Sequence, residues 1–254
     1  MNACGNNTTS PIEPSGEASH EEISTEFEVS SSFLASSSSS QISLVQWTDS
    51  IITDFGLADI VGNSDWRIST WGNDNRRHSA DNVWIENGAL NLKVTGGTSL
   101  GETTTGAEIV SQKQQFLYGS YRIELKATKE PGTVTGFFYY LDDSNEIDIE
   151  FLSQDQNETY FTIHENTGPN SHKQMTLPFD PTEGFHEYRF DWSPTQVIFY
   201  VDGTLMTTLD SNVPDKVGSI LINHWTLSNA DWGGGPPIKD AIIQIKKISM
   251  YFNL

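Results

Sequence analysis

Positive charge is scarce in this chain. Its 254 residues hold 14 Lys and Arg against 34 Asp and Glu, a formal charge of −20, and no Lys or Arg stands before Arg67. A surface so acidic repels phosphate backbones and anionic lipid, which argues against nucleic acid as a partner. Cysteine is scarcer still: Cys4 stands alone, so no intrachain disulfide can form. No apolar run reaches membrane length, so no transmembrane segment is expected. No basic stretch followed by an apolar one opens the sequence, so no secretory signal peptide is expected in the chain as it stands, which reads as a mature or clipped form. Helical periodicity over any convincing length is missing, as is an internal repeat.

What is present is material for a core. Hydrophobic residues make up 36% of the chain and aromatics 11%, with seven Trp, which is enough to fold despite the charge. The acidity is uneven. Glu13, Glu17, Glu21, Glu22, Glu26 and Glu28 crowd the start, and "SSSFLASSSSSQ" follows with too little apolar surface to offset the entropy of ordering it. Residues 1–45 are therefore expected to form a disordered acidic, Ser-rich tether, and residues 46–254 the folded part.

From Val45 onward the pattern turns to short segments with period-two alternation, rich in Val, Ile, Tyr, Phe and Thr and punctuated by Gly, Asp, Asn and Pro. "GALNLKV", "GAEIVSQ", "GSYRIELKA", "TGFFYY", "EIDIEFL", "YFTIHEN", "GFHEYRFDWS", "QVIFYVDGTLMTTL", "SILINHW" and "AIIQIKKISMYF" are the strand-bearing segments. Asp202-Gly203 between two such runs predicts an antiparallel hairpin, because both central residues of the favoured turn need positive φ. Many short strands without helical crossovers predict a single all-β sandwich.

One segment, "SNEIDIEFLS", sets Glu146, Asp148 and Glu150 on alternate positions. Side chains on a strand alternate between faces, so Ile147, Ile149 and Phe151 enter the core while the three acids share the other side. Cα atoms of Glu146 and Glu150 are then on the order of 13 Å apart, and on a concave sheet the carboxyls can lean toward the ~5 to 5.5 Å of retaining glycosidases. Like charges so close raise one another's pKa. A glycosidase uses that: one carboxylate stays bare as nucleophile while its partner keeps a proton for the leaving oxygen. A solvated acidic face without chemistry and a divalent-cation site are the two rival readings of the same strand. The neighbourhood favours sugar. Phe138 and Tyr140 lie just upstream, and "NHWTLSNADWGGGPP" supplies Asn223, Trp225 and Trp232, aromatic faces and an amide suited to C–H faces and hydroxyls. Phe137, Tyr139 and Trp192 fall instead on apolar strand patterns and read as core.

"NEIDIEFL", together with "GFHEYRFDWSPTQVIFYVDG" and "INHW...DW", resembles glycoside hydrolase family 16, and in particular its bacterial lichenases and short fungal members, over roughly Trp66 to Phe252. The resemblance implies a jelly-roll β-sandwich of the concanavalin A-like lectin/glucanase type, two curved antiparallel sheets with a substrate groove across the concave one. It implies Glu146 as nucleophile, Glu150 as general acid/base and Asp148 as the assisting acid. Phe138, Tyr140, Asn223, Trp225 and Trp232 match donor-side positions, and Glu108 a groove glutamate that bonds sugar hydroxyls. There are departures. Ser144 replaces a Trp, the loop before it is shorter, Val110 replaces an Arg, and His164 occupies a position that is often Tyr and enters as a substrate-binding candidate, with a satisfied surface histidine as the alternative. Lys246 or Lys247 replaces the calcium-binding Asp of the family, so a structural calcium is not predicted; no cofactor is required and no metal takes part in the chemistry. The family's disulfide cannot form.

The implied activity is a retaining endo-β-glucan hydrolase acting on a β-glucan polysaccharide, β-1,3-1,4-linked or β-1,3-linked. The rivals are a transglycosylase using the same residues, and a carbohydrate-binding lectin, against which all three carboxylates count. A monomer is expected, outside the cell. "NACG" around Cys4 resembles the processing site of bacterial lipoproteins, which would anchor the chain at the cell surface through a lipid; a lone cysteine in a loose tail is the plain alternative.

Overall fold

The computed structural model describes residues 47–155, 157–164 and 169–253. The expected tether and Cys4 lie outside the described residues. Sixteen strands follow one another: β1 (Asp49–Asp54), β2 (Trp66–Ile68), β3 (Arg76–His78), β4 (Val83–Glu86), β5 (Ala89–Val94), β6 (Thr104–Ser111), β7 (Gly119–Lys126) and β8 (Val134–Asp142), then β9 (Asn145–Leu152), β10 (Glu158–Ile163), β11 (Ser171–Thr176), β12 (His186–Trp192), β13 (Val197–Val201), β14 (Thr204–Leu209), β15 (Ser219–Trp225) and β16 (Ala241–Phe252). Two 3₁₀ turns, Ala80–Asn82 and Ser153–Asp155, are the helical elements among the described residues, and no helix there is long and apolar enough to cross a membrane.

The strands form two eight-stranded sheets. One runs β14-β13-β12-β7-β16-β5-β4 with β1 also on β16; the other runs β11-β10-β9-β8-β15-β6-β2 with β3 beside β6. Every pairing is antiparallel except β3 with β6. This is the jelly-roll sandwich, and the inward faces build the core. Ile147, Ile149, Phe137, Tyr139, Phe161 and Ile222 from the second sheet meet Tyr121, Ile123, Phe190, Phe199 and Ile245 from the first, all fully buried. Aromatics fasten the layers: Tyr139 lies 4.4 Å from Trp192 and Phe161 4.9 Å from Phe199, ring centroid to centroid. Both buried indole N–H groups of the core, those of Trp192 and Trp66, find partners. Trp192 Nε1 donates to Pro214 O at 3.0 Å, and Trp66 Nε1 donates to Thr53 Oγ1 at 3.0 Å, tying β2 to β1 across the sheets.

Asp202 and Gly203 turn β13 into β14 with φ of 47° and 73°. The Asp202 carboxylate also accepts from Glu187 N at 2.9 Å and sits 2.7 Å from His186 Nδ1, so the hairpin is pinned to β12. Gly203→Ala forces a side chain into the left-handed region and is expected to destabilise by about 1 kcal/mol; urea unfolding measures it, and an unchanged midpoint would show that the turn relaxes freely.

Candidate active site

The outward face of the second sheet is hollowed into a groove of roughly 1010 Å³, and the acidic strand β9 lies in its floor. Register decides what stands beside what. One row across the sheet reads Glu108, Asn223, Gly136, Glu150, Tyr160; the next reads Arg67, Val110, Leu221, Phe138, Asp148, Thr162; the third reads Ser219, Tyr140, Glu146. Glu146, Asp148, Glu150, Glu108, Phe138, Tyr140, Asn223 and Trp225 all line the groove. Phe138 and Tyr140 meet edge to face at 6.3 Å. Gly136 is needed for close approach: a Cβ there would stand 2.8 Å from Asn223 Oδ1, which accepts from Gly136 N at 3.2 Å.

The acids are deeply set. Asp148 is 4% exposed, and its Oδ2 has no hydrogen-bond partner. Burial pushes the Asp148 carboxyl well above the usual carboxylate range, and the Glu150 charge adds to that. Glu146 is pushed up to about 9, first by burial and then by the charge of Asp148. Burial also raises Glu150, against the pull of His164, a hydrogen bond from Trp232 and the charge of Arg76. Burial and mutual repulsion therefore bias all three carboxyls toward their protonated forms relative to solvated acids. Since Glu146 and Asp148 are hydrogen-bonded to each other, one proton between them can leave either oxygen bare.

His164 closes the row. Its Nε2 lies 3.0 Å from Asp148 Oδ2, out of line for a hydrogen bond, and 3.9 Å from Glu146 Oε2. The Asn170 amide sits 3.0 Å from Nδ1; donation from that amide places the ring proton on Nε2, the edge facing the acids. Glu146, Asp148 and His164 bring ligand atoms within 4.8 Å of one another, so among the described residues they are a group that could hold a metal ion. Trp232 stands apart from Trp225. It packs on Tyr160 at 5.1 Å and bonds Glu150, on the β10 side of the acids, and is 36% exposed.

The opposite flank holds residues that the strand pattern did not single out. His78 on β3 is buried with Nδ1 3.4 Å from Glu108 Oε1, and its ring lies 5.9 Å from that of Trp71. The Arg76 guanidinium lies 4.1 Å from the Trp225 ring centre and 5.4 Å from that of Trp71. A signal existed in the sequence. Arg67, Arg76 and Arg77 are the first cations of a strongly acidic chain and fall within one short stretch.

A carboxyl whose pKa is higher in the folded state than in the unfolded one holds its proton more tightly when folded. Stability is then greatest below the ordinary carboxylate range and declines as pH rises toward about 9, the value for Glu146. Glu146→Gln cannot ionise and keeps an N–H for Asp148. It is expected to flatten that decline and to raise Tm at pH 8 by roughly 2–8 °C. Thermal melts of both proteins from pH 5 to 9 decide it, parallel curves being the contrary result.

The model for glycosyl hydrolases family 16 matches residues 65–240. A β-glucanase of Paenibacillus macerans is 31% identical over 201 residues, covering 71% of this chain and 84% of that enzyme. A β-glucanase of Bacillus subtilis is 36% identical over 127 residues, covering 48% of this chain and 52% of its own length. Among solved structures, a β-1,3-1,4-glucanase (lichenase) from a mouse hindgut metagenome superposes with a TM-score of 0.70 at 29% identity, over 80% of this chain and 98% of that one. The Bacillus licheniformis β-glucanase gives 0.70 at 26% identity, over 81% and 99%. The laminarinase catalytic domain from Thermotoga maritima, at 0.68 and 21% identity, shares the fold. With the matched residues spanning the groove and its acidic strand, this chain belongs to glycosyl hydrolase family 16.

Proposed function

We propose that the chain is a retaining, endo-acting β-glucan hydrolase whose substrate is mixed-linkage β-1,3-1,4-glucan, with β-1,3-glucan as the second choice. The observation that carries this is the row of three carboxyls with raised proton affinity in the floor of a groove of roughly 1010 Å³. Glu150, whose proton affinity burial raises, gives its proton to the glycosidic oxygen while Glu146 attacks the anomeric carbon; the C–O bond to the leaving sugar breaks and a glycosyl ester forms. Glu150, now a carboxylate, takes a proton from water; the resulting hydroxide equivalent attacks the same carbon, and Glu146 leaves as carboxylate. Asp148 takes up the proton it shares with Glu146 when Glu146 must be bare, and returns it afterwards. His164, its N–H edge toward both acids, supports the negative charge of the pair.

No step in this sequence calls on a metal. Where related chains are read as holding calcium, the candidate positions here are cationic: Lys246 Nζ lies 3.2 Å from Glu124 Oε1. The reading also places the protein outside the cell, where its polymer is, acting as a monomer. Anchoring through a lipid on Cys4 belongs to the same proposal.

Lichenan, laminarin, xyloglucan and agarose assayed for new reducing ends test the substrate, with lichenan expected first. Glu146→Ala and Glu150→Ala are each expected to lose several orders of magnitude in kcat. Azide then separates the roles: with an activated aryl glycoside it should restore turnover to Glu146→Ala as the α-glycosyl azide, and to Glu150→Ala as the β-anomer. The reverse pairing of products overturns the assignment, and an added labelled oligosaccharide appearing in long products would mark a transglycosylase.

A further inference from the structure

Arg76 enters the groove on an arm that belongs to neither run of sheet hydrogen bonds across the floor. β3 pairs in parallel with β6 alone, and the chain before it folds back on itself: Gly72 bridges Arg77, and His78 N donates to Trp71 O at 2.8 Å. Asn73 caps the bend, its side-chain oxygen accepting from Asn75 N at 2.9 Å and Arg76 N at 3.0 Å. Thr103 Oγ1 holds the tip through Asp74 O at 2.6 Å, and Thr104 N donates to Asn75 O at 3.0 Å. A hairpin so held presents Arg76 in one place before any ligand arrives, so little ordering is left to be done on binding.

The guanidinium itself is spent on ring faces only. It lies over Trp225 at 4.1 Å and near Trp71 at 5.4 Å, and among the described residues it forms no hydrogen bond and no ion pair. Burial lowers its pKa, and the charges of Glu108, Glu150 and Glu146 pull the other way from a distance. Stacking on Trp225 fixes the plane and leaves the N–H edge for whatever fills the groove. An arginine fork binds two acceptors side by side. One face of Trp225 is thereby taken by protein, which shifts that ring from a bare platform for sugar toward support for the cation.

Glucan chemistry then discriminates. An internal β-1,4-linked glucosyl unit keeps its O2 and O3 hydroxyls, which are neighbours on the ring. An internal β-1,3-linked unit has O3 in the linkage and retains O2 and O4, which are not neighbours. We propose that Arg76 is the linkage-reading residue of the groove, its fork donating paired hydrogen bonds to O2 and O3 of a β-1,4-linked glucosyl unit on the β6 flank of the catalytic carboxyls. This rests on the β-glucan reading above and refines it: a substrate must carry a 1,4-linked unit on that flank, so a purely 1,3-linked glucan binds through fewer bonds.

Binding to the cleavage-deficient Glu146→Gln protein tests it without turnover. Calorimetric titration with cellotetraose and laminaritetraose is expected to show tighter binding of the 1,4-linked chain. Adding Arg76→Ala should weaken cellotetraose roughly tenfold while changing laminaritetraose less than about twofold. Arg76→Lys keeps the charge and the ring contact but not the fork, and should recover only part of the loss. Equal weakening of both chains, an unchanged preference, full recovery by Lys, or no binding of either chain to the parent protein overturns the proposal. A lowered Tm with the preference intact would assign Arg76 to the fold alone, and also overturns it. If wild type cleaves no glucan yet these titrations behave as stated, the hydrolase reading fails and the role of Arg76 stands.

Discussion

Ionised carboxylates leave water only at a large cost in free energy, and β9 takes three acidic side chains into the floor of a sheet, one nearly sealed. Everything around the groove answers to that constraint. The acids hold protons longer than solvated ones do, the cations that reach them are few, and the partners are a histidine edge, an indole N–H and a guanidinium at a distance. A row that is neither fully charged nor fully neutral can give a proton at one end and offer a lone pair at the other. Stability and chemistry therefore pull against each other along one strand.

The strand can hold the acids there because its other face is so well buried. Ile147, Ile149 and Phe151 anchor β9 between the sheets, and its neighbours β8 and β10 are fixed by full ladders on either side. Hydrophobic burial behind the sheet offsets electrostatic strain in front of it. The same ladders set the rows, so Asn223 meets Gly136 and Glu150 by register and needs no loop to bring it there.

Alternation made much of this legible from the residues. The acids, the division of Phe137 and Tyr139 from Phe138 and Tyr140, and the Asp202-Gly203 hairpin follow from period two and from turn chemistry. What alternation could not expose were strands without an apolar face. β3 is Arg-Arg-His, and β11 is a polar edge, "SHKQMT", whose side chains are exposed or half-exposed. Each exists because an adjacent strand offers unpaired backbone groups, a property of the partner rather than of its own residues. Arg76 and His78 were hidden for that reason, and Trp232 could not be placed relative to Trp225 from a loop of glycines and prolines.

The sequence by itself determined that the chain would be a β-sandwich and that Glu146, Asp148 and Glu150 would share one side of a strand, because side-chain alternation is a local property of extended backbone. Only the tertiary structure decided how dry that side is, which cations and rings reach it, and on which flank each stands. Desolvation and cross-strand register arise from residues far apart in the chain, and no local pattern encodes them.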